Sequence, residues 1–170
     1  EIGVNHDGSF EKLKKLVTFS KKIGADIVKL QIYNSDELVI KKTRAANYQK
    51  KIGNNQFKIL KKYELSSNSI KKIINHCKKI KIKLISTCFD IGSYKRYDKL
   101  SKSNLYKVSS GDLTNLPLLF EIAKNKKKII LSTGMSNQDT IDLALKTIIF
   151  AFKKKNRYPN ITKIRNIELN

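Results

Sequence analysis

The feature that most constrains this chain is a repeated unit, in which a short apolar run ends on polar residues and a helical pattern follows it. Such runs cover Asp26 to Ile32, Lys83 to Thr87, Leu105 to Val108 and Lys128 to Ser132, and Glu1 to Asn5 reads as the latter half of another strand. Between them, apolar residues recur at helical spacing. Leu13, Leu16, Val17, Ser20 and Ile23 form one face before Gly24, and Ile70, Ile73, Ile74, Cys77 and Ile80 form another after a Ser66 or Ser67 cap. Gln56 to Lys62 and Ile91 to Leu100 read as weaker helices. Asn115 and Pro117 open a helix to Lys124, since proline costs least in a first helical turn. The last helix starts at a capping-box-like Ser136-x-x-Asp139 and is expected to bury Ile141, Ala144, Leu145, Ile148, Ile149 and Phe152. Residues 33–56 read as a long polar connection, and beyond Lys153 the chain reads as polar and irregular.

Five βα units in succession imply a parallel sheet with helical crossovers. An open doubly wound sheet and a (β/α)8 TIM barrel both satisfy that pattern. Polar residues stand at the C-terminal tip of each expected strand: Asn5, Gln31, Thr87, Ser109 and Ser132. Barrels gather their sites from many strand tips, whereas open sheets concentrate theirs at one switch point, so the barrel is preferred. A whole barrel takes about 250 residues, so this chain would hold only the first five units.

The strand ends favour an anion. Lys107-Val108-Ser109-Ser110-Gly111-Asp112 places a cation, hydroxyls and free backbone groups ahead of a helix start, and Ile85-Ser86-Thr87 and Leu131-Ser132-Thr133-Gly134 repeat the design. Lys29 and Gln31, two apart on one strand, share a face. Together they point to a phosphorylated or carboxylated small molecule.

Charge alone suggests a different ligand. The 36 Lys and Arg against 14 Asp and Glu give +22, which invites a nucleic-acid reading. Only Arg44, Arg96, Arg157 and Arg165 are arginines, however, and arginine is the residue that forks onto phosphates and guanine edges. The lysines fall on polar helix faces and loop ends, without interleaved aromatics, and read as solvated surface. No apolar run approaches the ~20 residues a bilayer requires. Cys77 and Cys88 lack metal-site spacing and fit buried thiols in a reducing cytoplasm. His76 reads as structural and His6 as a satisfied turn histidine.

Six blocks, taken together, are specific. Glu1-Ile-Gly-Val-Asn-His-Asp-Gly8, Gly24-Ala-Asp-Ile-Val-Lys-Leu-Gln31, Ala46-Asn-Tyr-Gln49, Leu84-Ile-Ser-Thr-Cys-Phe89, Tyr106 to Leu119 and Ile130-Leu-Ser-Thr-Gly-Met135 resemble, in order, the sialic acid synthase family. That family includes N-acetylneuraminate, legionaminate and pseudaminate synthases. The resemblance implies a cytoplasmic TIM-barrel enzyme, homodimeric in the family, that condenses phosphoenolpyruvate with an N-acetylated mannosamine-type sugar. It also implies a divalent metal, Mn2+ or Mg2+. Lys29, Thr87, Lys107, Ser110 and Ser132 match positions that hold phosphoenolpyruvate; Glu1, Gln31 and Asp112 match positions near the sugar or the metal-bound water. Glu1 and Asp112 are the catalytic candidates, although Asp112 stands where many members have glutamate. Asn47, Tyr48 and Gln49 are candidates to face the sugar. Cys88 replaces a frequent proline, and Leu30 a frequent phenylalanine, at positions expected to be away from the chemistry. The family's two metal-binding histidines and its antifreeze-like C-terminal domain are expected beyond Asn170, so residues 1–170 read as the N-terminal part of a synthase barrel. Two other readings stay open: a Schiff-base aldolase using Lys29 or Lys107, and a lysine-rich polyanion binder.

Overall fold

Four of the five expected strands, and the helices expected between them, form where the periodicity places them. A computed structural model describes residues 1–47, 51–153 and 160–169, in two compact units, Glu1–Lys102 and Ser103–Asn170. Tyr48 and Gln49 lie outside the described residues.

The first unit runs α1 (Phe10–Lys22), β1 (Ile27–Ile32), α2 (Ser35–Leu38), α3 (Gln56–Tyr63), α4 (Ser67–Lys79), β2 (Lys83–Cys88) and α5 (Ile91–Ser101). β1 and β2 are parallel, with Lys29 opposite Ile85 and Gln31 opposite Thr87. Because side chains alternate along a strand, β1 buries Val28, Leu30 and Ile32 and leaves Lys29 and Gln31 half-buried on the other face. Helix starts follow side-chain chemistry: Ser9, Ser66 and Asp90 each accept a backbone N–H from the first turn. Leu13 and Val17 of α1 and Ile70 and Ile73 of α4 are fully buried, and Thr18 Oγ1 meets His76 Nε2 at 2.8 Å between the two helices. His76 is thus structural, as expected.

The second unit runs β3 (Leu105–Val108), a 3-10 turn over Ser110–Asp112, α6 (Leu116–Lys124), β4 (Lys128–Leu131), α7 (Gln138–Lys153) and α8 (Ile161–Arg165). β3 and β4 are parallel, Leu105 opposite Lys128 through Val108 opposite Leu131. Asn115 caps α6 with Pro117 in its first turn. Leu118 to Ala123 of α6 are all buried, and its Phe120 ring lies 6.3 Å from Phe150 of α7.

Several expectations need correction. Glu1 to Asn5 is not a strand: one parallel bridge joins Gly3 to Leu30, after which Asn5 N–H and Asp7 N–H close turns onto Ile2 and Val4 carbonyls. Gly3 takes a φ of +55°, which breaks the extended run. Residues 33–56 are not all loop, since Asn34 caps α2 and Arg44 bridges Asn55. Ile23 is 67% exposed because α1 ends at Lys22 and Ile23 turns away as its C-cap. The α7 cap is Asn137, which accepts from Thr140 N–H and Oγ1–H, in place of Ser136. α7 buries Ala144, Thr147, Ile148, Phe150 and Ala151, while Leu145 and Phe152 are exposed, so its inward face is rotated from the apolar stripe. Beyond Lys153 the chain is not wholly irregular: α8 forms and buries Ile164. No helix among the described residues is long and apolar enough to cross a membrane.

Candidate functional site

In the first unit the β1–β2 pair brings four expected residues to one end. Lys29 Nζ lies 2.5 Å from Glu1 Oε1, with the lysine side chain 17% and the glutamate side chain 53% exposed. Gln31 and Thr87 are direct partners across the two strands. Thr87 Oγ1 is buried and finds no hydrogen-bond partner among the described residues. An unsatisfied buried hydroxyl costs about 1–3 kcal/mol, so this strand end has unused capacity to bind an oxygen-rich ligand.

Beyond Gln31 the β1 alternation continues to Tyr33, which with Phe89 after β2 borders a cavity of about 450 Å³. The two rings meet edge to face, 6.2 Å apart at 75°. Tyr33 hydroxyl donates to Leu60 O at 3.0 Å, and burial raises its pKa. The loops framing the cavity are held by two carboxylates that sequence reasoning missed. Asp90 accepts Ser93 N–H at 2.6 Å through one oxygen and Asn34 N–H at 2.9 Å through the other. That joins the segment after β2 to the segment after β1. Glu64 Oε2 accepts from Ser35 N at 3.1 Å, Ser35 Oγ at 2.7 Å and Lys61 Nζ at 3.1 Å. Burial pushes the Glu64 carboxyl up, but these donors outweigh it and the net pKa is lowered. An aspartate directly ahead of an apolar helical run was a usable cap signal for Asp90; the pairing of Glu64 with Ser35, 29 residues apart, leaves no such trace.

His6 departs from its expected role as a satisfied turn residue. It is fully buried, and its Nδ1 accepts Gly8 N–H at 3.1 Å, which assigns the proton to Nε2. Nε2 has no partner among the described residues. Burial lowers the His6 pKa, with Asp7 opposing, so the ring is neutral at pH 7.

In the second unit, Lys107, Ser110, Asp112 and Ser132 gather at the ends of β3 and β4. Lys107 Nζ donates to Val108 O at 2.8 Å, and Ser132 N–H donates to the same carbonyl at 3.1 Å. The Ser110 carbonyl accepts from Ser136 Oγ at 3.4 Å. Burial raises the Asp112 carboxyl pKa, with the Lys107 ammonium opposing it. This end therefore holds a cation, two hydroxyls and a carboxyl biased toward keeping its proton. Asn47 is exposed. No group of three or more His, Cys, Asp or Glu side chains is placed to hold a metal among the described residues.

Residues 16–166 match the NeuB family. The chain belongs to that family. It is 40% identical over 151 residues to an N,N'-diacetyllegionaminic acid synthase of Campylobacter jejuni, covering 87% of this chain and 45% of that protein. It is 30% identical over 153 residues to an N-acetylneuraminate-9-phosphate synthase of Drosophila melanogaster, covering 87% and 40%. The chain therefore spans less than half the length of these relatives. In fold it is similar to a Leptospira borgpetersenii N-acetylneuraminic acid synthetase crystal structure, with a TM-score of 0.74 and 21% identity over 88% of this chain and 48% of that one.

Proposed function

We propose that the protein carrying this chain condenses phosphoenolpyruvate with an N-acetylated amino sugar, releasing phosphate and a nine-carbon sugar acid. Family membership over residues 16–166 carries the reading, because that stretch includes Lys29, Gln31, Thr87, Lys107, Ser110, Asp112 and Ser132. In the reaction C3 of phosphoenolpyruvate bonds to the sugar aldehyde carbon, water adds at C2, and the C2–O bond breaks as phosphate leaves. Lys29 and Lys107 would supply point charges to carboxylate and phosphate, and the Thr87, Ser110 and Ser132 hydroxyls directed donors. Gln31 would meet the sugar. Glu1 and Asp112 would handle protons at the sugar oxygen and the attacking water, and the raised Asp112 pKa supports a group that can hold one.

The enclosing frame we propose is a (β/α)8 barrel, consistent with parallel strand pairs and helical crossovers. The described residues do not supply the ligand set for the expected Mn2+ or Mg2+. The reading is tested by phosphate release from phosphoenolpyruvate, with and without N-acetylated amino sugar, using the full-length protein. Sugar-dependent release supports it. Borohydride trapping of a covalent adduct on Lys29 or Lys107 would instead establish a Schiff-base aldolase.

A further inference from the structure

The lysines that sequence alone presents as solvated surface fall into register in one place. α1 and α4 lead into the parallel strands β1 and β2, so the two helices lie side by side and run in the same direction. Thr18 and His76 fix how they are aligned. Thr18 Oγ1 donates to Lys14 O at 2.9 Å and lies 2.8 Å from His76 Nε2, which therefore supplies the proton of that second bond. The two residues are 58 apart in sequence. The same offset sets Lys14 level with Lys72, and Lys21 level with Lys79. On each helix the two lysines are seven residues apart, which is two turns or about 10.5 Å along the axis. All four are exposed, and Lys72 Nζ leans back toward α1, 5.7 Å from the centroid of the Phe10 ring. Burial, followed by the nearby Lys14 and Lys79 ammonium groups, lowers the His76 pKa, so the floor between the helices is neutral at pH 7. The ionic side chains of α4 are all lysines, and α1 carries five lysines against Glu11.

We infer that the valley between α1 and α4 docks an acidic α-helix of a partner protein, its carboxylates repeating every seven residues. A groove between two packed helices accepts a third at an axial distance of about 8–10 Å. Carboxylates seven residues apart on that helix recur at the same spacing of about 10.5 Å as the lysines on both banks. An acidic strand would present its carboxylates about every 6.6 Å on one face and fall out of step. A nucleic-acid strand spaces its phosphates about 3.4 Å apart along the helix axis and is gripped best by arginine, which this valley lacks. With Thr18 and His76 as its floor the contact is electrostatic, which favours fast, salt-sensitive association. None of these residues belongs to the proposed site at the strand ends.

The test uses the full-length protein and a fluorescent alanine-based helical peptide with glutamates on one face, repeating every seven residues. A peptide of the same composition, its glutamates scattered around the helix, serves as the comparison. Fluorescence anisotropy reads binding. The matched peptide is expected to bind at least about tenfold tighter than the scattered one. Its affinity should fall as salt rises, since the Debye length shrinks from about 30 Å at 0.01 M to about 10 Å at 0.1 M. Reversing two valley lysines together, Lys14→Glu with Lys79→Glu, should weaken the matched peptide at least about tenfold. The same double variant should bind a peptide with lysines in place of the glutamates, a gain that a misfolded protein could not show. Lys58→Glu with Lys99→Glu changes the net charge equally at exposed positions on α3 and α5, and should leave matched-peptide affinity within about twofold. Equal binding of the two peptides, or equal weakening by the two double variants, would overturn the inference. So would displacement of the matched peptide by a DNA duplex or by phosphatidylserine–phosphatidylcholine vesicles at lower charge concentration, which would assign the valley to nucleic acid or to a bilayer surface.

Discussion

Asp90 offers the sharpest test of how the first unit holds its strand ends together. Its two carboxylate oxygens do separate work, one capping α5 through Ser93 N–H and the other receiving Asn34 N–H from beyond β1. The residue is only 7% exposed, so water does not replace either bond cheaply. Asp90→Ala removes an N-cap worth about 1 kcal/mol. It also leaves the Asn34 N–H without its acceptor, at about 1–3 kcal/mol. The sum is about 2–4 kcal/mol, or a fall in Tm of roughly 4–16 °C for a chain of this length. Asp90→Asn separates the two terms. Its oxygen can still cap Ser93, but its amide then points donors at the Asn34 N–H, so about 1–3 kcal/mol should still be lost. Urea titration monitored by circular dichroism measures both variants, and hydrogen exchange at the Asn34 amide should accelerate in both. A neutral Asp90→Asn, with unchanged Asn34 exchange, would show that the bond joining the two segments contributes nothing.

Three further outcomes follow from named groups. Lys107→Met in the full-length protein should raise the phosphoenolpyruvate KM roughly 10- to 100-fold, the loss of one charge-assisted contact, with little change in the sugar KM; steady-state phosphate release measures it. Glu64 has a lowered pKa when folded, so its stabilisation is complete above its ordinary value of 4.5 and is lost as pH falls below it. Glu64→Gln should therefore be less stable than the parent by about 1–2 kcal/mol at pH 7, and the gap should shrink as pH falls through that range; parallel melting curves that keep a constant gap would refute the role. Burial raises both the Cys77 and Cys88 thiols to about 12, so neither forms thiolate near neutrality. A disulfide reagent at pH 8 should label neither in the native protein and both in denaturant.

Local chemistry determined much of this protein from the sequence alone. The 3.6 and 2.0 periodicities located β1 through β4 and their helices, because a strand or helix must hide one face and the apolar spacing records which. Ser66 and Asn115 announced helix starts because a cap bonds to N–H groups only two or three residues away. Lys29, Gln31, Thr87, Lys107 and Ser132 were legible as strand-end residues for the same local reason, and the six blocks carried the family. Tertiary structure decided what depends on distant partners. It reduced the first strand to a bridge at Gly3 and rotated the inward face of α7 so that Leu145 and Phe152 remain exposed. It also paired Asp90 with Asn34 and Glu64 with Ser35, and left His6 Nε2 buried with no acceptor among the described residues. The cavity beside Gln31 belongs to the same class: its described wall draws on residues from Val4 to Phe89, and no local pattern encodes which side chains will enclose a shared space.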